Sequence, residues 1–231
     1  RPGAGKANLP EVDALVAGVE RSISGLGRRA CLAGARVLVT GGPTPVALDE
    51  VRVLTNRYSG RTAVSIAESF YRAGADVELL LSGTLIDSPS WIPTHRVSNY
   101  SEYKSTCLDC SADLAIFSAA VADYRPKAAV PGKINSGLDE LRIELEPTEK
   151  VLDLWREKHS ESRVVSFKLE AKLTDQELLD VARQRVGEHS DAVVANHASG
   201  GSLYLVDADG ETLLERDKLG RALVDWLVNR R

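Results

Sequence analysis

The 231-residue sequence contains no methionine and only three cysteines, Cys31, Cys107 and Cys110. An odd count in a chain this long argues against a disulfide framework. Basic residues are not in excess. The 29 Lys and Arg against 33 Asp and Glu leave a formal charge of −4, which removes the electrostatic footprint of a nucleic-acid binder. Long apolar runs are absent as well. Ala75–Leu81 is interrupted by Asp76 and Glu78, and it falls far short of the roughly 20 residues a membrane helix needs. With no signal peptide at its start, the chain is expected to be a cytoplasmic protein that engages neither membrane nor nucleic acid. A start at Arg1 and the missing initiator point to a piece of a longer polypeptide.

What is present suffices for one sizeable core: 43% of residues are apolar, within the length of a single α/β domain. Leu9-Pro10-Glu11-Val12-Asp13 reads as a helix start, with Val12, Leu15, Val16 and Val19 as its buried face. Residues 25–34 read as a linker. Arg36–Thr40 reads as a buried parallel strand running into Gly41-Gly42. An irregular stretch from Pro43 to Tyr58 follows, then a helix from Ser59 to Ala73 and a strand from Asp76 to Leu81. The alternation continues with strands at 113–117, 163–167 and 191–194, and helices at 151–158 and 174–186. Thr174 and Glu177 are spaced as a capping box. Ser202–Val206 and Glu211–Leu214, joined by Asp207-Ala-Asp-Gly210, read as an antiparallel hairpin, and 217–228 as a last helix. Alternating strands and helices predict a doubly wound, mostly parallel, Rossmann-like sheet with the hairpin at one edge. Residues 124–139, rich in Pro, Gly, Ala and Lys, read as a mobile loop.

In such sheets ligands bind beyond the carboxyl ends of the strands, here Thr40-Gly41-Gly42, Ser118-Ala119-Ala120, Lys168-Leu-Glu170 and Ala195-Asn196. Gly41-Gly42 lets backbone approach a phosphate, although a tight turn explains the pair equally well, and neither G-x-G-x-x-G nor a P-loop is present. Ser59-Gly60 at a helix start suits an anion, against the alternative of an ordinary cap. Ala119, Ala120 and Ala122 leave room for a flat ring beside Asp123, or for close helix–sheet packing. Lys133 lies in a glycine-containing loop. Cys107-Leu-Asp-Cys110 has redox or half-zinc spacing, but no second CxxC or His pair completes four ligands. In a helix the two thiols share one face and are expected simply to pack. His95, His159, His189 and His197 are scattered, show no partners, and read as surface residues.

Taken in order, the short motifs carry more. Thr40-Gly-Gly-Pro-Thr44, Leu48-Asp-Glu-Val-Arg52, Thr55-Asn56-Arg-Tyr-Ser-Gly60-Arg61, Ala119-Ala-Val-Ala-Asp123-Tyr124, Gly132-Lys133-Ile134, Pro147-Thr-Glu-Lys150, Ser166-Phe-Lys-Leu-Glu170 and Ala195-Asn196 together resemble the phosphopantothenoylcysteine synthetases of coenzyme A biosynthesis, in the style of their archaeal and eukaryotic branches. The departures are Tyr58, where the family usually has Ser, Ala63, where it has Gly, and Asn135-Ser136 after Lys133, where bacterial members have further lysines.

That resemblance implies a ligase joining 4′-phosphopantothenate to L-cysteine through an acyl-nucleotide made from CTP, with ATP as the alternative nucleotide and Mg²⁺ accompanying the triphosphate. It implies Lys133 and Asn56 as catalytic residues. Gly41, Gly42, Ser59, Gly60, Ala119, Ala120, Asp123, Lys133, Phe167 and Lys168 would bind nucleotide; Asn56, Arg61 and Asn196 would hold substrate. It also implies a homodimer, and Gly5–Val12 looks like the junction after a flavin-dependent decarboxylase domain. Residues 1–34 would then be helix and linker, and 35–231 the synthetase domain. A nicotinamide oxidoreductase would require G-x-G-x-x-G and an acid ending the second strand, which instead ends Leu80-Leu81-Ser82. A non-catalytic nucleotide sensor would have no use for both Asn56 and Lys133. Because a two-stranded ribbon is marginal alone, the Ser202–Leu214 hairpin is expected to need a cover, and a partner chain is the simplest one.

Overall fold

A computed structural model describes residues 10–24, 32–128 and 131–230. The leading junction, most of the 25–34 linker and Cys31 lie outside the described residues. The helices are α1 (Val12–Ser24), α2 (Arg61–Arg72), α3 (Tyr100–Asp109), α4 (Val151–Lys158), α5 (Asp175–Arg185) and α6 (Leu219–Val228). The strands are β1 (Arg36–Gly41), β2 (Val46–Ala47), β3 (Val53–Leu54), β4 (Asp76–Ser82), β5 (Thr94–Val97), β6 (Leu114–Phe117), β7 (Tyr124–Pro126), β8 (Leu145–Pro147), β9 (Arg163–Glu170), β10 (Ala192–His197), β11 (Leu203–Asp207) and β12 (Gly210–Leu214). Eight strands form one sheet in the order β12-β11-β10-β9-β6-β1-β4-β5. Every pairing from β10 to β5 is parallel; β11 and β12 add on antiparallel.

Side-chain alternation along the strands sorts the core onto two faces. Val37, Val39, Leu79, Leu81, Leu114 and Ile116 point to the side covered by α2 and α6. Leu38, Leu80, Ala115 and Val164 point to the other, against Tyr100, Tyr103, Cys107 and Trp155 of α3 and α4. Val193, Ala195 and Val206 continue that second face under α5. Helix α2 buries Ala63, Ile66, Ala67 and Phe70, an i, i+3, i+4, i+7 stripe. Gly220 lets α6 cross it closely, since a Cβ there would lie 2.2 Å from the Ser69 hydroxyl.

The doubly wound sheet with an edge hairpin is as expected, and the Thr174–Glu177 capping box is present. Several local readings are corrected. Val12, Leu15, Val16 and Val19 of α1 are exposed, not buried. The helix instead turns Ala17 and Arg21 toward the body, where Arg21 reaches the Tyr71 and Ala75 carbonyls and Asp76. The loop predicted from Tyr124 begins with a strand, because β7 pairs with β8 over three residues. β5 escaped the sequence reading; it is four residues long, follows a proline and is partly exposed. The hairpin extends its own sheet through five β10–β11 pairs, so β11 is covered within the chain, and β12 stands as the exposed edge of the sheet. The histidines also have partners: His95 meets Glu78 at 3.0 Å, His197 meets Asp175 at 2.8 Å, His189 meets Asp153 at 3.1 Å, and the His159 ring stacks on Trp155.

Candidate functional site

Beyond β1 the chain remains tied to the segment after β6. Ser118 donates to the Thr40 carbonyl through its hydroxyl at 2.7 Å, Ala120 N–H donates to Gly42 O at 2.9 Å, and Ala122 N–H donates to the Thr44 hydroxyl at 2.7 Å. Strands run outward from β1 in both directions here, so this is the sheet's topological switch point. Gly41 and Gly42 hold the turn together by lacking side chains. A Cβ on Gly41 would lie 2.2 Å from Ala63 Cβ, and one on Gly42 would lie 2.1 Å from Ser82 O. Gly42 also has φ +82°, a conformation side chains disfavour. The departure at Ala63 therefore packs into the space that Gly41 leaves.

A cavity of about 1200 Å³ spans the carboxyl edge of the sheet. Its floor is Ser118–Asp123, Ser166–Leu169 and Asn196. One arm runs between the starts of α2 and α6, past Arg61, Ser65 and Arg216; the other runs between α4 and α5, past Lys150 and Arg185. It thus brings together Asn56, Arg61, Ala119, Ala120, Asp123, Phe167, Lys168 and Asn196 from the expected set. Asn56 is anchored: its amide donates to the carbonyls of Ala120 at 2.9 Å and Val121 at 3.5 Å. Asp123 pairs with Lys150, and Lys168 with Glu170 at 2.7 Å. Arg61, Arg185 and Arg216 have no carboxylate partner among the described residues, and the buried Arg185 Nε makes no hydrogen bond. Unpaired guanidinium groups around a cavity suit a polyanion.

Gly41, Gly42, Ser59, Gly60 and Lys133 do not line this cavity. Gly60 caps α2 in the left-handed region with no side-chain cap bond, while the Ser59 hydroxyl accepts a long 3.5 Å contact from Arg61 N and the Ser59 carbonyl accepts from the Thr84 hydroxyl at 2.8 Å. The Lys133 loop is docked on the Asn56 segment. The buried Asp49 carboxylate accepts N–H bonds from Val51 at 2.8 Å, Arg52 at 2.6 Å and Ile134 at 2.9 Å, and pairs with the Arg52 guanidinium at 2.7 Å. The Ile134 N–H first, then the other backbone donors and Arg52, hold this carboxyl at about 2 against the cost of burial. Arg52 also donates to Ile134 O, and Glu50 and Gly132 exchange two further bonds. Sequence reasoning passed over Asp49, Lys150, Arg185 and Arg216. Asp49 and Lys150 lay inside quoted motifs, whereas nothing local marks the two arginines.

An open α/β sheet with a cationic cavity over its carboxyl edge belongs to the Rossmann-like ligand-binding class. Within that class the chain belongs to the family described as the DNA/pantothenate metabolism flavoprotein C-terminal domain, whose model matches residues 32–224. It is 35% identical over 196 residues to the coenzyme A biosynthesis bifunctional protein CoaBC of Thermococcus kodakarensis, covering 83% of this chain and 47% of that protein. The CoaBC of Methanocaldococcus jannaschii is 30% identical over 198 residues, covering 84% of this chain and 48% of the relative. The chain thus spans about half the length of these curated relatives. A crystal structure of the C-terminal domain of a CoaBC superposes with TM-score 0.73 at 26% identity, covering 87% of this chain and 97% of that one. A mutant of Cab2 in complex with phosphopantothenate-cysteine shares the fold, with TM-score 0.68 at 19% identity over 96% of this chain and 95% of that one.

Proposed function

We propose that this chain is a phosphopantothenate–cysteine ligase domain that activates its carboxylate substrate with CTP. The observation that carries the reading is the cavity of about 1200 Å³, lined both by Asn56, anchored on Ala120, and by Arg61, Arg185 and Arg216, which have no carboxylate partner among the described residues. This volume exceeds what one small ligand requires, and the reading calls for two anionic ones at once. The 4′-phosphopantothenate carboxylate attacks the α-phosphate of CTP and expels pyrophosphate; the cysteine amine then attacks the acyl-cytidylate, releasing CMP and the amide.

In this reading Arg61 and Arg216, at the entrances of α2 and α6, stabilise phosphate charge together with the N–H groups after Gly60. Ala119, Ala120, Asp123, Phe167 and Lys168 frame base and ribose, and Asn56, Arg61 and Asn196 hold the pantothenate arm. Lys133 is brought in by its loop as a point charge on the triphosphate. Asp123 and Glu170 are each committed to a lysine, and no group of three ligand-bearing side chains sits in the cavity among the described residues. Mg²⁺ would then be held chiefly on the phosphate oxygens of the nucleotide.

The exposed apolar residues Val51, Val53, Leu54, Tyr58, Tyr124, Leu138, Leu141, Ile143 and Leu145 cluster in sequence on the β2–β3 and β7–β8 ribbons and their flanks, and we assign them to a homodimer interface. A flavin-dependent decarboxylase as the other half of the full-length protein fits the length of the relatives. No helix among the described residues is long and apolar enough to cross a membrane.

The deciding experiment measures pyrophosphate release from CTP with phosphopantothenate, with and without cysteine. Release that requires phosphopantothenate, and loss of it in Lys133→Gln with folding unchanged, is the expected result. Release without phosphopantothenate, or normal turnover of Lys133→Gln, would overturn the assignment of substrate or of lysine respectively.

A further inference from the structure

The Cys107–Cys110 spacing plays no part in the ligase reading, and the fold separates its two thiols. Cys107 is buried in the core between α3 and the sheet. Cys110 is the residue that ends α3, and it is only partly buried. The chain supplies two further ligand types at that point. β4 and β5 pair in parallel with Leu80 opposite His95, so Glu78, two residues before Leu80, and His95 project from the same face of the sheet. That is the face on which α3 packs. The carboxylate, imidazole and thiol atoms all lie within 4.8 Å of one another. Glu78 Oε2 and His95 Nε2 are already 3.0 Å apart.

We propose that Glu78, His95 and Cys110 form a site for a borderline-soft divalent cation of the zinc class, with water in the fourth position. Ligand atoms about 2.0–2.3 Å from a tetrahedral centre stand roughly 3.5 Å from each other, so a spread of up to 4.8 Å closes with small rotamer changes. One thiolate, one imidazole and one carboxylate match zinc or cobalt and do not match the all-oxygen preference of magnesium. A cavity of about 250 Å³, lined by Arg21, Arg36, Glu78, Pro93, Cys110 and Ser111 among others, opens beside Glu78 and Cys110 and leaves room for the water ligand. Bound there, a divalent cation would replace the Cys110 thiol proton, and the thiolate and the Glu78 carboxylate would balance its charge.

The site joins the end of α3 to the β4–β5 edge of the sheet. Glu78 is the third residue of a strand whose far end, Ser82, lies toward the reaction side. The proposal is therefore independent of the ligase assignment and of the magnesium that accompanies a nucleotide.

Cobalt titration of the reduced, chelator-treated chain tests it. One equivalent of Co²⁺ should produce a thiolate-to-cobalt charge-transfer band with tetrahedral d–d bands, both abolished by zinc and unaffected by excess magnesium. Cys110→Ser should remove the charge-transfer band, and His95→Gln should weaken cobalt binding by more than about tenfold. A band that persists in Cys110→Ser would place the cation on Cys31 or Cys107 and overturn the site; so would the absence of any band in the parent chain. If Cys110→Ser does not fold, His95→Gln carries the test, because His95 is exposed on an edge strand. Unchanged cobalt affinity in that variant would equally overturn the proposal.

Discussion

The β11–β12 hairpin buries Leu203, Leu205 and Val206 at 2%, 6% and 0% exposure, whereas the β2–β3 and β7–β8 ribbons leave Val53, Leu54, Tyr124 and Leu145 between 40% and 54% exposed. Both are antiparallel ribbons of modest length. The hairpin is covered because β11 pairs with β10 and α5 packs over both. The other two ribbons are two and three residue pairs long and lie outside the main sheet. Too short to build a core of their own, they keep an apolar surface for something else to cover. Their flanks also carry two of the proposed site residues: Asn56 follows β3, and the Lys133 loop lies between β7 and β8. One ribbon is thus tied into the core, and the others remain open for the assembly and catalysis proposed above.

The largest effect that would sharpen this contrast is Val206→Asp. A carboxylate beneath α5 has no partner in the Leu178, Ala182 and Val193 cluster, and the cost should exceed about 4 kcal/mol. Urea unfolding should show a chain unfolded or nearly so. A loss below about 1 kcal/mol would mean the hairpin is peripheral after all.

Asp49→Asn comes next, and it reads out on the ribbon side. The amide keeps one acceptor but loses the ion pair and part of the turn that docks Gly132–Ile134. Acyl-nucleotide formation should fall about tenfold or more, and the Ile134 amide should lose hydrogen-exchange protection, while the global unfolding midpoint moves little. The pH dependence has a definite sign. Asp49 titrates near 2 when folded and near ~3.9 when unfolded, so its stabilisation is complete above that unfolded value. It is lost as the pH falls through about 2. An Ile134 amide equally protected in both forms would show that Asp49 does not latch the loop.

Smaller still in stability is Leu141→Asp, within about 0.5 kcal/mol, yet light scattering should show a dimer reduced to monomer. A dimer that survives would move the interface elsewhere. Leu213→Lys, on the exposed edge strand β12, should change neither stability nor stoichiometry by a measurable amount. Conversion to monomer by Leu213→Lys alone would restore the hairpin as the interface and reverse the comparison.

The α/β alternation, the capping box at Thr174 and most strand positions were legible because they depend on residues close in sequence. Motif order singled out Asn56, Arg61, Ala119, Ala120, Asp123, Phe167, Lys168 and Asn196, which one cavity brings together, and also Gly41, Gly42, Ser59, Gly60 and Lys133, which do not line it. The error on α1 has a physical source: periodicity identifies an apolar stripe but not what lies opposite it, and here Arg21 rather than the stripe docks on the body. The histidines appeared partnerless because Glu78, Asp153 and Asp175 approach them from 17 to 36 positions away along the chain.

By itself the amino-acid order determined the element types, the parallel sheet and the family, since propensity, spacing and short motifs act within a turn or a strand. Only the tertiary structure decided which apolar ribbon is covered, that Asp49 grips the Lys133 loop, and that Glu78, His95 and Cys110 meet. Each depends on pairings across tens of residues, such as β4 with β5 or Asp49 with Ile134. Their partners are chosen by what else the fold has already buried, and no local pattern encodes that choice.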